Sequence, residues 1–144
     1  MRRAGVVTRS IDPGAVMDEV RSREYGAVSM FVGTVRDTNE DRAVSSIDYS
    51  AYVPMAEAEL DRIIVEAIEK FGVGAVVVEH RIGQLGLGDV SVAIAVAHRH
   101  RAPALEATSF LIERIKSQVP IWKREHYSDG AVGWIDPTDA VAGR

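Results

Sequence analysis

The chain has 144 residues, no cysteine and a net charge of -4, with 47% hydrophobic and 26% charged residues. That is the balance of an ordinary globular domain, long enough to bury a core as one domain over 1–144. The acidic total excludes the broad positive field of a nucleic-acid binder, and the missing thiols exclude disulfides, thiolate metal centres and a cysteine nucleophile.

The N-terminus, "MRRAGVVTRSIDPG", lacks the apolar stretch of a secretory signal, and no apolar run is long enough to span a bilayer. The default expectation is a cytoplasmic protein. "AGVVTR" (4–9) reads as a short strand. "SIDPGAVMDEVRS" (10–22) reads as a helix start, with Asp12 able to cap and Pro13 suited to the first turn. "GAVSMFVGTVR" (26–36) has strand composition, and Gly33 near its end suggests a bulge or a close approach. "DTNEDRAV" (37–44) is polar and reads as a loop, followed by a strand over 44–52.

Pro54 opens the strongest helix. Leu60, Ile63, Ile64, Ala67, Ile68 and Phe71 form an apolar stripe at helical spacing, and Gly72 stands at the C-cap position. "AVVVEHRIG" (75–83) is a strand and "QLGLGD" (84–89) a Gly-rich turn. "VSVAIAVAHRH" (90–100) is apolar on both faces at first, as a central strand would be. Pro103 opens a second long helix whose core face is Ala104, Ala107, Leu111, Ile115 and Val119. Pro120 ends it. "IWKREHY" and "AVGWID" flank "SDG" as a hairpin, and "PTDAVAGR" reads as a loose tail. Paired strands, with each long helix following a strand, predict an α+β fold with mixed or antiparallel sheets and two long helices.

"GQLGLGD" leads into a strand, not a helix, so its glycines make a turn and not a phosphate loop. "HRHR" (98–101) offers no third metal ligand. Arginine and histidine before a helix N-terminus suit an anion, against the bland alternative of a solvated strand end. Arg36 stands at another strand end. Lys116 follows Ile115 of the core stripe, so it sits at the edge of the buried face. Pro120 turns the chain between Lys116 and Lys123. A lysine in a partly apolar wall can serve as acid, base or nucleophile.

The ordered set "GAVSMFVGTVRDTN", "HRIGQLGLGD", "AHRHRAPALEA" and "KSQVPIWKRE", across roughly residues 26 to 134, resembles the large, catalytic subunit of molybdopterin synthase, the MoaE family. The resemblance implies an α/β-hammerhead fold. It also implies a sulfurtransferase activity that installs a dithiolene on cyclic pyranopterin monophosphate. The sulfur would arrive as a thiocarboxylate on the Gly-Gly tail of a small ubiquitin-like subunit, with two large subunits paired in a heterotetramer. No cofactor, metal, nucleic acid or membrane is implied. Position by position, Lys116 and Lys123 match the family's active-site lysines, Lys116 as the expected catalytic group and Lys123 as the anchor. Thr34, Val35, Arg36, His100, Arg101, Arg124 and Glu125 match its substrate-binding positions. His98 and Arg99 repeat the His-Arg pair two residues early. Thr34 stands where some relatives carry a basic residue. A phosphate-ester enzyme using the same cations, and a non-catalytic scaffold, are the weaker alternatives.

Overall fold

The computed structural model describes residues 1–135, so the expected loose tail lies outside the described residues. Strand β1 (Arg2–Val7) and helix α1 (Pro13–Val20) open the chain, followed by β2 (Ala27–Thr34), β3 (Thr38–Asn39), β4 (Arg42–Ala51) and α2 (Val53–Phe71). Then come β5 (Ala75–Arg81), β6 (Gly83–Gly86), β7 (Val90–His98), α3 (Arg101–Gln118), β8 (Ile121–Tyr127) and β9 (Val132–Ile135). The fold is α+β, as its strand pairs and two long helices imply.

The first sheet has the order β1-β5-β7-β2, with β1 parallel to β5 and the other pairs antiparallel. Both of its faces are covered. Val76, Val78, Val92, Ile94 and Val96 face α2 and α3, which bring Leu60, Ile63, Ile64, Ala67, Ala107, Leu111 and Ile115. Ala75, Val77, Ala93, Ala95 and Ala97 face α1 through Ile11, Val16 and Val20. This explains the nearly unbroken apolar run of β7, a central strand buried along almost its whole length. On the α1 face Glu79, also buried, accepts hydrogen bonds from Arg3 (2.8 Å) and Arg9 (2.6 and 3.1 Å), and these pairs hold its carboxyl below the usual range despite burial.

The helix signals hold. Asp12 caps α1 by accepting from Gly14 N, α2 ends at Gly72 with φ of 66°, and Ala104, Ala107, Leu111, Ile115 and Val119 are all buried. α3 begins two residues before Pro103, at Arg101, because the first-turn N–H that proline lacks has no helical partner anyway.

The second sheet runs β3-β4-β8-β9, and β6 pairs with β4 beyond β3 on the same edge. Two segments differ from expectation here. The polar 37–44 stretch is a hairpin of β3 and β4, turned by Glu40 and Asp41 at φ of 50° and 64°. The Gly-rich 84–89 segment begins as strand β6, with only Leu87–Gly88 left as the turn; Asp89 holds it by accepting from Gly86 N at 2.9 Å. β6 forms because β4, distant in sequence, offers it an open edge, a tertiary cause with no local signal, whereas β3 folds back on β4 through the local Glu40–Asp41 turn. At Gly33 the register of β2 against β7 shifts. A Cβ at that position would approach Val92 Cγ1 to 2.8 Å, so the expected close approach is real.

Candidate active site

Where the two sheets meet, beside the end of α3, a cavity of about 290 Å³ opens. β2 contributes Phe31, Val32, Gly33 and Thr34. β4 contributes Val44, Ile47 and Tyr49, and β7 contributes Ser91 and Val92. Three cations enter this mixed polar and apolar wall from three separate segments: Arg36 after β2, Lys116 from α3 and Lys123 from β8. One carboxylate, Glu125, also lines it, so the lining carries two net positive charges.

Local structure aims each of them. Leu111 and Ile115 bury one stripe of α3, and Lys116 lies about 100° further round, half-buried at its margin. Pro120 follows the helix, and β8 then alternates. Ile121, Lys123 and Glu125 point toward the core and cavity, while Trp122, Arg124 and His126 point away. Lys123 Nζ is 3.4 Å from Glu125 Oε1, and their side chains are 17% and 2% exposed. Asn39 Nδ2 donates to both carboxylate oxygens of Glu125 at 3.0 Å, and Arg36 Nη2 donates to Asn39 Oδ1 at 3.3 Å. A buried polar chain thus runs Arg36–Asn39–Glu125–Lys123. Burial first, and the Glu125 charge as well, push the Tyr49 phenol above its ordinary range against the opposing bond from Ser91.

Arg36, Thr34, Lys116, Lys123 and Glu125 therefore meet in one place. Four other expected site residues do not. Val35 is buried in the core; its N–H donates to Asp89 O and its carbonyl accepts from Gly88 N. Arg124 lies on the opposite face of β8, donating to Asp48 Oδ2 at 3.0 Å and standing over Trp134. Period-two alternation makes a residue beside Lys123 point away from it. Asp48 also accepts from His126 Nε2 at 2.6 Å, and that bond first, then Arg124, hold its carboxyl below the usual range. His100 and Arg101 cap and open α3, beside Ala27 at the far end of β2 from Thr34. Seven strand steps separate the two ends, roughly 23 Å. His98, the apparent duplicate, serves the backbone of the helix entry, where its Nδ1 accepts from His100 N at 2.8 Å.

Asn39 and His80 were missed by sequence reasoning. Asn39 lay in a stretch read as loop, and His80 in a strand whose motif suggested no role. His80 is buried and sits edge-on to Tyr49 with ring centroids 5.0 Å apart. Burial first, then the charge of Lys116, lowers its pKa from 6.5 to about 4.

Among known proteins, the chain is 41% identical to the molybdopterin synthase catalytic subunit of Rattus norvegicus, covering 88% of this chain and 63% of that one. It is 40% identical to the subunit of that name from Halalkalibacterium halodurans, covering 93% of this chain and 85% of the relative. The chain thus spans less than two thirds of the rat protein, and likewise 64% of the Emericella nidulans one. The X-ray crystal structure of molybdopterin synthase from Staphylococcus aureus superposes with a TM-score of 0.85 at 37% identity, covering 90% of this chain and 94% of that one. The family described as MoaE protein matches residues 6–118, well over half the sequence. With fold, relatives and motif order in agreement, this chain belongs to the MoaE protein family.

Proposed function

We propose that this protein is the catalytic subunit of a molybdopterin synthase. It moves sulfur from the C-terminal thiocarboxylate of a small ubiquitin-like subunit onto cyclic pyranopterin monophosphate, forming the dithiolene of molybdopterin. The observation that carries this reading is the convergence of Arg36, Lys116 and Lys123 on one semi-apolar cavity. Both reactants are anionic, one through its cyclic phosphate and the other through its thiocarboxylate. Cations at a partly water-excluded site bind such groups strongly and lower the cost of bringing two anions together. The apolar wall of Phe31, Val32 and Tyr49 offers a flat surface to a pterin ring, and Arg36 and Lys123 suit its phosphate. Lys116 is assigned to the reacting sulfur, orienting the thiocarboxylate and moving a proton as the sulfur adds.

His100 and Arg101 cannot reach this cavity within one protomer. Their proposed role as substrate contacts holds only if a second large subunit presents them, which fits the paired arrangement the family resemblance implies. Mixing a Lys116→Ala chain with a His100→Ala chain tests that point: restored activity in mixed dimers supports it, and additive loss opposes it.

The direct test combines this chain with a thiocarboxylated small subunit and the pyranopterin precursor and measures dithiolene product. Product from wild type, lost in Lys116→Ala, is the expected result. A wild-type chain that binds the small subunit and makes no product would refute the assignment.

A further inference from the structure

The β3–β4 hairpin brings Thr38 and Asn39 to the cavity, yet little in its own structure holds it there. β3 is two residues long and pairs with β4 alone among the described strands. A strand that short adds few ladder bonds. Its turn sets Glu40 and Asp41 at φ of 50° and 64°, left-handed values that crowd a side chain, and the second such position is usually a glycine. Asn39 nevertheless carries both hydrogen bonds that fix the buried carboxylate of Glu125. A contact from outside the hairpin has to help hold it shut. Arg42 lies directly opposite Asn39 in the hairpin register. Its guanidinium stands over the Tyr127 ring, with Cζ 3.6 Å from the centroid, and Nη2 donates to Asp129 Oδ2 at 3.3 Å. Tyr127 ends β8, and Asp129 sits in the turn to β9, where Ala131 N donates to its other carboxylate oxygen at 2.9 Å. Beside them Ser128 N donates to Ala43 O at 2.9 Å.

We propose that Arg42 is a positioning residue for the cavity: stacked on Tyr127 and paired with Asp129, it clamps the β3–β4 hairpin to the end of β8 and so keeps Asn39 on Glu125 and Glu125 beside Lys123. Its kinetic consequence rests on reading the cavity as the sulfur-transfer site. The ion pair alone is weak, because its side chains are 47% and 65% exposed. The guanidinium over the tyrosine ring adds a contact that the charge pair does not supply and that a lysine matches poorly. Arg42 does not line the cavity itself, so its effect on the site passes through the hairpin. The left-handed turn pulls the other way. The clamp and the turn are therefore opposed, and easing the turn should make the clamp dispensable.

Opposition of this kind gives a rescue test with three chains: Arg42→Ala, Asp41→Gly, and the two changes together. Arg42→Ala removes the clamp, and Asp41→Gly eases one left-handed position. Melting is measured first, to show that each chain folds. Amide hydrogen exchange then follows Val44, whose N–H donates to Asp37 O at 2.8 Å across the hairpin. Exchange at Val44 should quicken about tenfold in Arg42→Ala and return to within about threefold of wild type in the double variant. In the complex with the thiocarboxylated small subunit, KM for the pterin should rise about three- to tenfold in Arg42→Ala with kcat little changed, and the double variant should recover it. Unchanged exchange in Arg42→Ala overturns the proposal. A raised KM that Asp41→Gly leaves in place also overturns it, because Arg42 would then meet the substrate directly. A wild-type chain without product sinks the sulfur-transfer reading alone, since the exchange measurement needs no substrate.

Discussion

The two lysines of the cavity stand in different surroundings. On the β8 side, Lys123 stands 3.4 Å from a buried carboxylate that is itself fixed by Asn39. On the α3 side, Lys116 acts electrostatically on a buried imidazole that stays neutral. A lysine beside a carboxylate is anchored and partly neutralised, so it suits a fixed anion such as a phosphate. Lys116 enters the cavity from a helix on a different wall, with a buried imidazole in its surroundings. The pair is therefore not redundant, although sequence spacing alone gives no reason to separate them.

Removing each lysine is the strongest way to break that contrast. Lys116→Ala should lower kcat on the order of 10² to 10³-fold, the range for loss of an acid–base or orienting group. Lys123→Ala should act mainly on KM, raising it roughly tenfold, the size of one lost charged hydrogen bond. Single-turnover product formation with saturating small subunit separates the two. Equal kcat losses would mean that the two walls do one job.

Acid should act on buried His80 before it reaches the Asp48 cluster on the outer face of β8. His80 has a pKa of about 4 when folded against 6.5 as the ordinary value. Between those values the unfolded chain binds a proton that the folded chain refuses. Stability from this group is thus complete above about pH 6.5 and falls as pH drops toward 4, on the order of 3 kcal/mol in all. The carboxyl of Asp48, held below its usual range, loses its contribution only at still lower pH. Urea unfolding of wild type and His80→Phe at pH 7.5 and 5 checks this. The wild type should lose stability between the two, and the variant should change much less.

How far the sequence discloses this site depends on which force places each residue. α2 and α3 are legible because their apolar stripes repeat at 3.6 residues, and Lys116 inherits its position from Ile115. Gly33 is legible because its missing side chain answers a steric need at Val92. β6 is illegible because the open edge of β4, remote in sequence, creates it, and β3 because the Glu40–Asp41 turn lacks the glycine that usually marks such a hairpin. Asn39 follows from that, since only the hairpin brings it to Glu125. His100 and Arg101 match a motif in order and spacing, yet linear order says nothing of the roughly 23 Å strand between them and Arg36's end of β2.

The Lys123 wall can be loosened without touching a lysine. Asn39→Ala removes both hydrogen bonds to a buried carboxylate and the acceptor of Arg36. A buried charge losing its donors costs about 2 kcal/mol, read as a lower urea midpoint at unchanged slope. Because Lys123 is held through Glu125, KM for the pterin should rise with little change in kcat. A purely structural role for Asn39 would lower stability and leave KM alone.

The smallest expected effect sharpens the comparison most. Arg124 is the immediate neighbour of Lys123, and the family motif includes it, yet its side chain joins Asp48, His126 and Trp134 on the other face of β8. Arg124→Ala breaks a partly exposed ion pair that contributes under about 1 kcal/mol. Both kcat and KM should stay within about threefold of wild type, because no atom of the pair reaches the cavity lining. Asp48→Asn should behave alike, since it weakens the same cluster from β4. If Arg124→Ala instead matched Lys123→Ala in KM, the outer face of β8 would have to meet the substrate. Such a result would require the strand to rotate on binding, and period-two alternation would then have misled the assignment of the whole wall.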